Sequence, residues 1–233
     1  MIFSNSFNLM KLAVLFSGGK DSTYAMYKAM NDHDISCLIT IKSINKESYM
    51  FHTPTIDMTK LQAKAIGLPL ITVETKGEKE KELVDLKNAI KQAKTDYKIE
   101  GIVTGAILSV YQATRIQKIC DELDIYCFNP LWQMDQIKLL NELLDNNFEI
   151  MITSVNAYPF DETWLGQILS KEMINELIKL QKMFKINPAG EGGETESLVL
   201  NAPFFKKKIK VLNYKINHKD YSGSIIINEA KLS

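Results

Sequence analysis

The sequence predicts an α/β fold, a parallel five-stranded sheet with helices on both faces, joined to a smaller C-terminal α+β domain. Three observations predict it. Short apolar runs alternate with segments of helical period over residues 1–128. A Ser-Gly-Gly turn leads from the first run into the first helix. After Asn129-Pro130 the alternation gives way to helices and then to short β-rich runs broken by Asn and Gly. The expected division is therefore 1–128 and 129–233, with residues 1–9 a frayed tail on which no chemistry depends.

Taken in order, Lys11 to Phe16 reads as a buried strand, and Ser22 to Met30 as a helix. Cys37 to Ile41 is the second strand. Thr53-Pro54 has the chemistry of a helix start, and Gly67 that of its stop after Ile66. Leu70 to Val73 is the third strand. Glu78 to Lys94 is a charged helix that gathers Leu83, Leu86, Ile90 and Ala93 on one face. Gly101 to Thr104 makes the fourth strand, Ser109 caps a helix reaching Leu123, and Tyr126 to Phe128 makes the fifth. Beyond it come a helix from Met134 to Asn146, a strand from Glu149 to Val155 and a helix from Ser170 to Phe184. The β-rich runs Ser197 to Leu200, Lys208 to Leu212 and Ser224 to Ile227 follow.

Composition narrows the function classes. No apolar run approaches the roughly 20 residues of a membrane span. Lys plus Arg and Asp plus Glu number 28 each, so no overall charge draws the chain to nucleic acid or anionic lipid. The basic group Lys206, Lys207, Lys208 and Lys210 reads first as the guard of an edge strand. Cys37, Cys120 and Cys127 form neither an even framework nor a CxxC pair, which fits a reducing, cytoplasmic setting.

The chemistry-bearing segment is Ser17-Gly18-Gly19-Lys20-Asp21-Ser22. Two adjacent glycines let backbone N–H groups approach phosphate oxygens, and the helix that follows adds its own donors and partial positive charge. Lys20 supplies a full positive charge, Ser17 and Ser22 hydroxyl donors, and Asp21 a carboxylate able to hold Mg²⁺ against phosphates. The spacing is not that of a Walker A loop, so cleavage of ATP between its α and β phosphates is preferred to γ-phosphate transfer. A plain capped turn is the competing reading.

The block LFSGGKDSTYAM resembles the PP-loop of the N-type ATP pyrophosphatase superfamily, whose members have an adenine-nucleotide α-hydrolase-like fold. They adenylate a substrate, release pyrophosphate and let a nucleophile displace AMP. Further stretches resemble the diphthine–ammonia ligase family in order along the chain: Phe51-His52-Thr53-Pro54, GAILSVYQATR from Gly105 to Arg115, Pro130-Leu131-Trp132, Trp164-Leu165-Gly166, and NPAGEGGETESLVL from Asn187 to Leu200. The chain departs from that family's usual pattern at Thr195-Glu196-Ser197, where an aromatic residue, Glu and Thr are commoner.

The resemblance implies an ATP-dependent amide ligase that uses ATP and Mg²⁺. Its partners would be ammonia and diphthine on translation elongation factor 2, with no role for a membrane and nucleic acid disfavoured. It gives residues 1–128 the ATP and residues 129–233 the acceptor. Lys20, Asp21, Glu191 and Glu194 become catalytic candidates. Ser17, Gly18, Gly19, Ser22 and Gly105 become nucleotide contacts. His52, Ser109, Tyr111, Gln112, Arg115, Gly192 and Gly193 become acceptor contacts. Residue chemistry alone reads several of these more plainly. Tyr111 and Arg115 share a face of a capped helix, and Glu191-Gly192-Gly193-Glu194 is a solvated turn. If that turn is functional, its two carboxylates are close enough to share a cation or to take a proton from ammonium. The alternative activity is a PP-loop adenylase acting on tRNA or on another small carboxylate, and the neutral charge and scattered cysteines count against tRNA.

Overall fold

The central strands in the first half of the chain are buried on both sides, and the alternation of their side chains shows why. In the computed structural model, which describes residues 9–44, 55–78 and 80–233, Leu12 and Val14 enter one apolar cluster and Ala13 enters another. The strands are β1 (Lys11–Leu15), β2 (Asp34–Ser43), β3 (Leu70–Thr75), β4 (Gly101–Val103) and β5 (Tyr126–Phe128). They are all parallel and lie in the order β3-β2-β1-β4-β5. The chain runs outward from β1 to β3, then crosses to β4. A crevice therefore opens at the carboxyl ends of β1 and β4.

Helices cover both faces, as expected. On one side, α1 (Lys20–Ala29) and α2 (Thr59–Ile66) bury Tyr24, Met26, Ala63 and Ile66 against β1. On the other, α3 (Glu82–Tyr97) and α4 (Val110–Glu122) bury Leu86, Ile90, Ile116 and Ile119 against β1, β2 and β4. Gly67 stops α2 at a φ of 83°. The helix start expected at Thr53-Pro54 lies outside the described residues, and a 3-10 turn over Ile56–Met58 leads into α2. Helix α3 begins at Glu82 rather than Glu78. Glu80 has a φ of 67°, which no right-handed helix contains.

The second half contains α5 (Gln136–Asp145), capped by Asp135, β6 (Glu149–Val155), α6 (Lys171–Phe184), capped by Ser170, β7 (Thr195–Asn201), β8 (Ile209–Lys219) and β9 (Ser222–Leu232). Its sheet is antiparallel in the order β7-β6-β9-β8. Strands β8 and β9 are 11 residues each, longer than the runs legible in the sequence. Most of their positions are exposed, so little apolar alternation marks them. Strand β8 lies at the sheet edge, and of the basic group expected to guard an edge only Lys210 is on it, beside Lys215 and Lys219; Lys206, Lys207 and Lys208 precede it, and Lys208 pairs with Glu149.

One apolar cluster runs through both halves, from Tyr24 and Met26 of α1 to Leu139 and Leu143 of α5 and Leu198 of β7. The fully buried Tyr24 sends its hydroxyl to Glu142, which Lys28 also pairs at 2.7 Å. Tyr27 donates to Asn146 at 2.9 Å. Residue 128 therefore divides the topology, while the core is shared. No helix among the described residues is long and apolar enough to cross a membrane.

Candidate active site

Strand β1 delivers the loop Ser17 to Ser22 into the crevice. Gly18 takes a φ of 79°, and a Cβ there would lie 2.1 Å from Gln62 Oε1. Its carbonyl accepts from Gln62 Nε2 at 2.8 Å and from Val199 N–H at 3.0 Å. Gln62 Nε2 also reaches the Val199 carbonyl at 2.8 Å, so one amide from α2 ties the loop to β7. Gly18 thus shapes the loop and is not part of the cleft wall. The Ser17 and Ser22 hydroxyls lie 3.1 Å apart.

Helix α1 starts at Lys20 with Gly19 at its N-cap, which has no side chain of its own to cap it, and this favours an anion at the first turn. Lys20 is only 7% exposed, and its ammonium lies 2.9 Å from Asp21 Oδ2. Its N–H donates to Ser197 Oγ at 3.2 Å. Asp21 Oδ1 is buried without a hydrogen-bond partner.

The exit of β4 makes the opposite wall. A Cβ on Gly105 would sit 2.8 Å from the Asp21 carbonyl carbon and from Ser22 N, so only glycine lets this backbone lie against the first turn of α1. Ser109 accepts from Gln112 N–H at 3.3 Å, which makes it the expected cap of α4, and both residues line the cleft. Tyr111 and Arg115 do not. The Arg115 guanidinium lies 3.4 Å from the Tyr111 ring centroid, and both side chains donate to Glu80, Arg115 Nε at 3.0 Å and Tyr111 at 3.2 Å. His52 lies outside the described residues.

Gly190 to Ser197 close the third side. Glu194 is 9% exposed and fully engaged within its own loop. It accepts from Asn187 N–H at 2.9 Å, Asn187 Nδ2 at 2.7 Å and Gly192 N–H at 2.8 Å. These three bonds fix the turn that carries Glu191, the expected partner of Glu194 in sharing a cation or taking a proton from ammonium. Glu191 crosses the cleft mouth to accept from Leu108 N–H at 3.1 Å. Burial and then the nearby Asp21 charge raise its pKa.

Two residues absent from the candidate set complete the wall. Glu196 Oε2 is buried without a partner. Burial pushes the Glu196 carboxyl up to about 7, with Lys20 pulling the other way. Opposite it, β6 slips register around Thr153, so that Ile152 faces Ser197 and Ser154 faces Glu196. The extra residue of this bulge belongs to β6, and across from it the successive β7 residues Glu196 and Ser197 both line the cleft. The cleft holds about 510 Å³. Leu15, Ile39, Ile41, Ile56 and Ile116 give it an apolar side suited to a flat base, beside the polar floor of the loop.

Fold and loop together define an α/β protein with an anion-binding helix start at the switch point of its parallel sheet. Models of the diphthamide synthase N-terminal and C-terminal domains match residues 10–126 and 135–232. The diphthine–ammonia ligase of Rattus norvegicus is 36% identical over 87% of this chain and 83% of that protein. The human enzyme is 37% identical over the same shares. That of Schizosaccharomyces pombe is 34% identical over 95% of this chain, which spans only 39% of the yeast protein. The chain belongs to the diphthine–ammonia ligase family.

Proposed function

We propose that the protein, working in a cytoplasm, joins ammonia to the side-chain carboxylate of diphthine on translation elongation factor 2 through two half-reactions in this cleft. In the first, a carboxylate oxygen attacks the α phosphorus of ATP and the bond to the bridging oxygen of pyrophosphate breaks. Lys20 and the first turn of α1 meet the charge that develops on the leaving group. In the second, the lone pair of ammonia forms a bond to the acyl carbon, and the carbon–oxygen bond to AMP breaks. The apolar side of the cleft takes the adenine.

The Asp21 carboxylate fits a divalent cation. One oxygen faces Lys20, and the other is buried and unpartnered. Mg²⁺ is commonly held by one or two carboxylates together with phosphate oxygens, and when bound it would offset charge on those oxygens. Glu194 shapes the turn that carries Glu191, and Ser109 and Gln112 stand opposite, where the acceptor enters.

The observation that carries this reading is the convergence of a glycine-led helix start, a buried lysine and an unpartnered aspartate oxygen on one cleft, within a chain of this family. Exchange of labelled pyrophosphate into ATP tests it. Exchange is expected with elongation factor bearing diphthine, and Lys20→Met should lower it about 10²- to 10³-fold. Release of ADP in place of AMP would overturn the reading. Exchange stimulated by tRNA and not by the protein would move the acceptor to RNA.

A further inference from the structure

Resting on that two-step reading, the remaining chemical need is a supply of free ammonia. At neutral pH ammonium is by far the commoner form, and it has no lone pair with which to attack. The cleft must attract a small cation and remove one proton from it.

Four carboxylates stand around the cleft, and three are engaged. Glu194 accepts three N–H bonds within its own loop, Glu191 accepts from Leu108, and Asp21 pairs with Lys20 through Oδ2 at the phosphate end, its buried Oδ1 being the oxygen assigned to the divalent cation. Glu196 is different. It sits at the start of β7, turned into the cleft opposite the β6 bulge, with Oε2 buried and without any partner. From this placement we infer that the Glu196 carboxylate is the ammonium site of the second half-reaction.

Ammonium donates to Glu196 as its counter-charge. One N–H bond then breaks, the proton passes to Glu196 Oε2 and the electron pair stays on nitrogen. That pair forms the carbon–nitrogen bond as the carbon–oxygen bond to AMP breaks. A second nitrogen proton leaves with the phosphate of AMP, and Glu196 returns its own proton to water before the next turnover. Among the described residues Lys20 of α1 is the charged group that acts on Glu196, and Asp21 and Glu191 line the same cleft. Strand β6 sets the uncharged Ser154 opposite it. Lys20 is the one that moves its titration, keeping the carboxyl near pH 7 against the effect of burial. A base is most effective when it titrates near working pH.

Glu196→Gln tests this with two nucleophiles. Hydroxylamine is largely the free base at neutral pH and needs no deprotonation before it attacks. In the variant, amide formation from ammonium should fall about 10²-fold or more, while pyrophosphate exchange and hydroxamate formation persist. Glu196→Asp, which keeps a carboxylate, should restore part of the ammonium rate. Equal loss with both nucleophiles, or no loss with either, would overturn the inference while leaving the two-step reading intact. Absence of exchange in the parent enzyme would remove that reading and the inference with it.

Discussion

Replacing Glu196 by Gln is expected to stabilise the folded protein at alkaline pH. The folded chain holds a proton on this carboxyl up to about pH 7, against an ordinary value of 4.5. Between those limits the folded state binds more protons than the unfolded one. The contribution is therefore fully present below about pH 4.5 and is lost as pH rises through about 7. At about 1.4 kcal/mol per pH unit, ionising Glu196 in place costs the fold about 3 kcal/mol, out of a total of about 5–15 kcal/mol. Gln has nearly the same shape and no charge to desolvate. Urea unfolding at about pH 5 and about pH 8.5 reads the effect as a difference between variant and parent. The variant should match the parent at the lower pH and exceed it by about 2–3 kcal/mol at the higher one. Glu191 shifts in the same direction but is present in both proteins, so the difference removes it. A variant that is less stable at the higher pH, or displaced equally at both, would refute the reasoning.

Two further substitutions probe the frame around the loop. Gly105→Ala places a Cβ 2.8 Å from backbone atoms of Asp21 and Ser22, which cannot move aside cheaply. It should lower ATP affinity in calorimetric titration at least about tenfold and cost about 1–3 kcal/mol of stability. Tyr24→Phe removes the hydroxyl that Glu142 accepts while Lys28 keeps its pair with that carboxylate. It should cost about 2 kcal/mol, a fall in melting temperature of roughly 4–8 °C by calorimetry at this chain length, with pyrophosphate exchange retained.

The parallel sheet was legible because each of its strands is a short apolar run bounded by a turn residue, and periodicity reports that directly. The loop from Ser17 to Ser22 was legible because its backbone demands glycine and its ligand demands charge. What escaped depends on distance in sequence. Gln62 looks like any polar residue of an amphipathic helix, and nothing local says that it reaches Gly18 and Val199. Glu196 stands two residues beyond the Glu-Gly-Gly-Glu turn, and nothing local gives it a role in the cleft wall, since its burial is created by β6 and α1, far away in the chain. Tyr111 and Arg115 show the converse. Their four-residue spacing gives a shared helix face, yet that face turns to Glu80 and away from the cleft. The β8–β9 hairpin was seen only in part, because a strand exposed along most of its length leaves little periodic trace.

Strand β7 does more for the site than supply one carboxylate. Ser197 receives the N–H of Lys20, Val199 donates to the Gly18 carbonyl, and Gln62 bridges both sides of that junction. A hinge opening the two halves at residue 128 would have to break all of these bonds and part the shared apolar cluster around Tyr24 and Leu198. The cleft is thus built by packing before any substrate arrives. Because Glu196 and Ser197 are neighbours on one rigid strand, the spacing between the phosphate clamp and the ammonium site is fixed by a single residue step. In the proposed two-step reaction, an acyl-adenylate formed at Lys20 would meet its nucleophile without a change of fold, which would keep the reactive intermediate from waiting for water.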